Sequence, residues 1–152
     1  MATQARTQTK GLYEEDFYVW TEAQAALLRA RRFAALDLAN LIEEVEGLGD
    51  AKKSAVLNNA SVIIEHLLKL QHSPAQDPRR GWSESIIGHR TRLEIELTPR
   101  LRQILEEELS RVYALTRTTE RKLRLYGEEA AADALPESCP YTVEQITGDW
   151  WP

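Results

Sequence analysis

Lys52, Asn59 and His66 follow one another at seven-residue intervals. On a helix of 3.6 residues per turn, that spacing returns each side chain to nearly the same face. An ammonium, an amide and an imidazole in one row could line a pocket for a small ligand. Arg90 and Gln24 occupy similar seam positions on other helices. A polar group inside a helical interface costs stability unless it finds a partner. The row is therefore expected to be a hydrogen-bonded network that fixes helix register, as a buried asparagine does in coiled coils. A ligand pocket lined by Lys52, Asn59, His66 and Arg90, and plain exposure to solvent, are the alternatives.

Other chemistry finds less support. Di-metal helical bundles use Glu-x-x-His motifs, but the residues three before His66, His72 and His89 are Ile63, Lys69 and Ile86. Glu43, Glu44 and Glu46 read as a solvated acidic face, and no metal or other cofactor is expected. Cys139 is the single cysteine, which excludes an internal disulfide and a cysteine-rich zinc cage. It lies between Ser138 and Pro140 with no histidine near in sequence, and a reactive thiol needs an electropositive, accessible site. Gly47 and Gly49 lack the third glycine of a phosphate loop, the one that must directly precede its Lys-Ser/Thr pair; Lys52 stands before Lys53-Ser54 instead. The balance leans away from an enzyme without deciding the matter.

The elements that must position these residues are helical. A chain of 152 residues, 43% hydrophobic and 28% charged, can bury a core of its own. Its net charge of −5 and its two short clusters, Arg29-Arg31-Arg32 and Arg79-Arg80, argue against nucleic acid, whose binding rests on a basic face. The longest purely apolar run, Val62-Ile63-Ile64, is far short of the roughly 20 residues that span a bilayer. Residues 1–10 are polar and lack the apolar stretch of a secretory signal. Cytoplasm is the expected compartment, with no membrane partner.

Residues 1–11 read as a loose tail, and helix one spans about 14–30 through Phe17, Trp20, Leu27 and Leu28. From Asp37 to Gln71 a single face collects Leu38, Leu41, Ile42, Val45, Leu48, Val56, Ala60, Ile63, Leu67 and Leu70. The phase survives Gly47 and Gly49, which predicts one long helix with a soft spot near residue 48. Leu57, Ile64 and Leu68 widen the apolar arc in its second half, which leaves Asn58, Ser61, Glu65 and Lys69 as a solvent strip. That half should be the centre of the fold. Pro74, Pro78 and Gly81 predict a loop over 72–81. A third helix follows with Ile86, Ile87, Leu93 and Leu97 on one face. Thr98-Pro99 reads as an N-cap with proline in the first turn, opening a fourth helix to about Tyr126. Thr142 and Gln145 match a capping box, with Tyr141 and Ile146 where a hydrophobic staple belongs; a short helix at 143–147 follows, with Trp150 and Trp151 packed back on the bundle.

Several stretches carry a family resemblance. They are Asp16-Phe17-Tyr18-Val19-Trp20 behind Tyr13, Leu36-Asp37-Leu38 running into Leu41-Ile42-Glu43-Glu44-Val45 and Leu48-Gly49, and His66-Leu67-Leu68-Lys69. Trp82, Ile86 or Ile87, Arg90 and Pro136-Glu137-Ser138-Cys139-Pro140-Tyr141 complete the set. In this order they resemble the family known as domain of unknown function 29, small bacterial proteins. The resemblance implies an all-helical bundle and carries no established activity, cofactor or catalytic residue. Leu70 departs from it, standing where an aromatic is expected after the lysine.

The expectation is thus an all-α, four-helix-bundle-like single domain over 12–152, with one long central helix and a short capped C-terminal helix. Tyr18, Trp82 and Trp150 exceed what one small core needs, and aromatics are enriched at interfaces. The expected function is a non-enzymatic module that binds a protein partner or itself. The alternative is a small-ligand binder or enzyme using the polar seam.

Overall fold

The computed structural model describes residues 11–152; the expected N-terminal tail lies, but for Gly11, outside the described residues. After a helical turn over 11–15, the chain forms α1 (Phe17–Arg29), a 3-10 turn (Phe33–Ala35), α2 (Leu38–His72), α3 (Arg79–Glu96) and α4 (Pro99–Thr116). Then come α5 (Thr118–Leu125), α6 (Glu129–Asp133) and α7 (Val143–Thr147). There is no strand among the described residues, so the architecture is all-α and bundle-like. The chain divides into two compact units, one ending at Asp50 and one over Ala51–Pro152.

The first unit is a helical hairpin of α1 and the start of α2. Asp16 caps α1, its Oδ1 accepting from the Val19 amide at 3.1 Å; this cap starts the helix three residues later than its apolar spacing suggests. Trp20, almost wholly buried, donates its indole N–H to Asp37 Oδ2 at 3.3 Å. The Asp37 amide donates to Gln24 Oε1 at 2.9 Å, so the polar side chain on the α1 stripe serves the start of α2. The hairpin end of α1 is closed by paired bonds, Arg31 N to Leu28 O and Arg32 N to Leu27 O. That closure places Arg31 in the left-handed region at φ 54°, where glycine is the usual occupant.

The second unit is built around the remainder of α2, which passes both glycines without a break. Val56, Ala60, Ile63, Ile64, Leu67 and Leu68 are buried and pack with Ile86, Leu93, Leu105, Val112, Tyr141 and Ile146. The expected central role of this half is therefore realised. Its expected solvent strip is not: Asn58 alone of the four is fully exposed. Lys122 of α5 reaches across to Glu65 at 2.7 Å, and Lys69 both pairs with Glu65 and lies over the Trp82 ring. Ile87, expected on the buried face of α3, points outward instead.

The fourth helix is two helices. Thr116 turns its hydroxyl back to the Tyr113 carbonyl at 2.6 Å, and the Arg117 amide bonds Ala114 rather than the residue four back. Threonine hydroxyls compete with the ladder in this way, and the run Thr116–Thr119 has weak helix propensity. The caps read from the sequence are present: Thr98 accepts from Leu101 N, and Thr142 and Gln145 form the reciprocal box. Tyr141 and Ile146 are both buried beside it.

Candidate functional site

The three rungs of the polar seam have different fates. Lys52 is exposed, whereas Asn59 and His66 are half-buried. Asn59 donates to the Ala55 carbonyl at 2.8 Å, and its Oδ1 lies 2.6 Å from His89 Nδ1. An amide oxygen can only accept, so this bond needs the His89 tautomer with its proton on Nδ1. His66 Nδ1 is buried without a hydrogen-bond partner. Burial, reinforced by the charge of Lys69, holds the His66 imidazole below its ordinary value, and burial with Arg92 does the same for His89. Both rings are favoured in the neutral form.

Arg90 faces another way. Its Nε donates to the Ile146 carbonyl at 3.0 Å, and its Nη2 to Gln145 and Trp150 carbonyls at 2.8 and 2.7 Å. The first two carbonyls belong to the last turn of α7, where a cation satisfies orphan acceptors and opposes the helix dipole. The Trp151 ring lies 5.0 Å from the guanidinium. The seam thus divides into an Asn59–His89 pair beside His66, an exposed Lys52, and an arginine clamp on the C-terminal segment.

Cys139, half-buried, points its thiol at the Tyr141 carbonyl, and burial pushes its pKa up. A raised thiol pKa makes a poor nucleophile. Among the described residues no group of three or more His, Cys, Asp and Glu is arranged to hold a metal. None of their helices is long and apolar enough to cross a membrane.

The feature that sequence reasoning missed lies in the first unit. A groove of about 420 Å³ runs between α1 and α2, its walls formed by Phe17, Trp20, Leu28, Leu41, Val45 and Leu48. The spacing 17, 21, 24, 28 on one helix and 41, 45, 48 on the other gives each a continuous stripe. Only part of those stripes is covered: Val45 is 63% and Leu48 70% exposed. Leu38 and Ile42 form an exposed ridge beside it. Glu44, on the rim, accepts from the Tyr13 hydroxyl at 2.6 Å, and that bond pushes the phenol pKa up to about 12. The clue was quantitative: residues 11–50 make two short stretches of helix, too little chain to enclose both of their apolar stripes. Of the three aromatics expected to be in surplus, Tyr18 is exposed, but Trp82 and Trp150 are half-buried against the core. Phe17, Phe33 and Tyr126 are exposed in their place.

No curated protein and no solved structure matches the chain. One family model, described as a domain of unknown function, DUF29, matches residues 12–151, nearly the whole length, and the chain belongs to that family.

Proposed function

We propose that this protein is a non-enzymatic interaction module, which docks a protein partner or a second copy in the groove between α1 and α2. One observation carries the reading: the groove presents Phe17, Leu28, Val45 and Leu48 to water although their spacing is that of a buried helix face. Contiguous exposed apolar surface of this kind marks interaction sites, and a helix laid in a groove is one of the recurring ways to use it. Arg90, held by three backbone carbonyls, and Asn59, paired with His89, serve register and packing in this account. Lys52 stays a solvated lysine.

The test is the size of the native complex in an extract of the cell that makes the protein. Wild type should elute well above the 17.3 kDa of one chain. Val45→Glu combined with Leu48→Glu should elute at the mass of one chain with its helix content intact. Elution of wild type at the mass of one chain, or equal sizes for both proteins, would refute the reading.

A further inference from the structure

We infer that the occupant of the groove is a second copy of this chain, laid antiparallel so that the arginine-bearing turn of each hairpin meets the acidic open end of the other. The inference rests on the groove being a docking surface and adds the identity and direction of what docks.

Charge in the hairpin is sorted by position. Residues 11–50 contain three cations, Arg29, Arg31 and Arg32, all exposed at the turn between α1 and α2. The opposite end carries Glu14, Glu15 and Asp16 from one arm of the hairpin, and Glu43, Glu46 and Asp50 from the other, all exposed, before α2 runs on to Lys52. The Tyr13–Glu44 bond places residues 13 and 44 at one level, and the Trp20–Asp37 bond sets the chains running oppositely. Thirteen residues of α1 separate the ends by about 20 Å, more than two Debye lengths at physiological salt. The ends therefore act as two separate poles.

A parallel copy would stack like charge on like. A reversed copy sets arginines on carboxylates at both ends, and one two-fold operation produces both contacts at once. A foreign partner would have to supply this pattern, whereas the chain already carries both halves. The apolar part agrees: the Leu38–Ile42 ridge stands beside the concave groove, so each copy offers a knob and a slot. Two such hairpins face to face give four helices around a shared apolar centre.

Sedimentation of the purified full chain across the micromolar range tests the proposal. Wild type should form a dimer, and Val45→Glu should abolish it. Combined Arg29→Glu, Arg31→Glu and Arg32→Glu should weaken self-association by about tenfold or more, as should combined Glu43→Arg, Glu46→Arg and Asp50→Arg. An equimolar mixture of the two charge variants should form heterodimers about as tightly as wild type. A monomeric wild type overturns the second copy. Charge variants that self-associate like wild type, or fail to pair with each other, overturn the antiparallel arrangement. A purified chain that is monomeric yet elutes large in its native extract would leave the groove as a docking surface for a foreign protein, which separates failure of this inference from failure of the proposed function.

Discussion

Arg90 Nη2 lies 2.7 Å from the carbonyl of Trp150, sixty residues along the chain, and 2.8 Å from that of Gln145. With the third bond to Ile146, one side chain holds both the end of α7 and the turn beyond it. A planar fork spreads its donors over several nitrogens in fixed directions, whereas a lysine carries all of its donors on one atom. Arg90→Met should therefore cost about 2–4 kcal/mol in urea unfolding, because buried acceptors lose their donor. Arg90→Lys should recover less than half of that loss. Trp151 loses its cation in Arg90→Met, so the change should appear in tryptophan emission as well.

Glycines and the left-handed arginine give a second set of outcomes. A Cβ at Gly148 would stand 2.8 Å from the Glu144 carbonyl oxygen, and backbone cannot step aside cheaply. Gly148→Ala should destabilise the protein by about 1–3 kcal/mol. A Cβ at Gly49 meets nothing within 4 Å, so Gly49→Ala should raise stability by about 0.5–1 kcal/mol through helix propensity. Arg31→Gly should also gain about 1 kcal/mol, by relieving its backbone, while weakening self-association. Thermal midpoints of the three variants check the signs.

Much of the fold was legible in the residues. The long helix showed itself because one apolar phase runs through 35 residues, and the caps at Thr98 and Thr142 because hydroxyl, proline and glutamine positions have local causes. What periodicity does not encode is how much chain is available to cover a stripe. Leu38, Ile42, Val45 and Leu48 share the phase of Ile63 and Leu67 but end exposed. The seam was legible only in part, for a related reason. Spacing aligns Lys52, Asn59 and His66 on their own helix, yet the partners come from elsewhere: His89 for Asn59, and α7 carbonyls for Arg90. The split between α4 and α5 needs the Thr116 hydroxyl to turn inward, which its spacing does not announce.

The contrast between the halves of α2 is measurable. Leu67 is fully buried, and Leu67→Ala should cost about 2–5 kcal/mol. Val45→Glu, on the same helix and the same stripe, should change the stability of the isolated chain by no more than about 0.5 kcal/mol. Denaturant titration of dilute protein, below the range of self-association, separates the two.

The histidines set a pH dependence. Burial is the leading cause that holds His66, His72 and His89 below their ordinary value of 6.5. The unfolded chain then takes up protons first as pH falls, so their contribution is complete above 6.5 and is lost as pH drops through the depressed folded values. Glu65 acts lower down. Burial raises its carboxyl, but hydrogen bonds from Lys122 and Lys69 outweigh this and bring it below 4.5, so its share is lost only below that value. The thermal midpoint should be flat around neutrality and decline on acidification. His66→Leu, which also removes an unpartnered buried nitrogen, should flatten the decline without lowering stability at neutral pH. An unchanged slope in that variant would count against a buried neutral His66.

The most direct measurement of the docking groove is photo-cross-linking inside the cell that makes the protein. A photoreactive phenylalanine derivative at Val45 would be compared with the same group at exposed Arg121 of α5. The account predicts a discrete covalent adduct at 45, chiefly the two-chain species, and none at 121. Equal labelling at the two positions, or no adduct at 45, would contradict it.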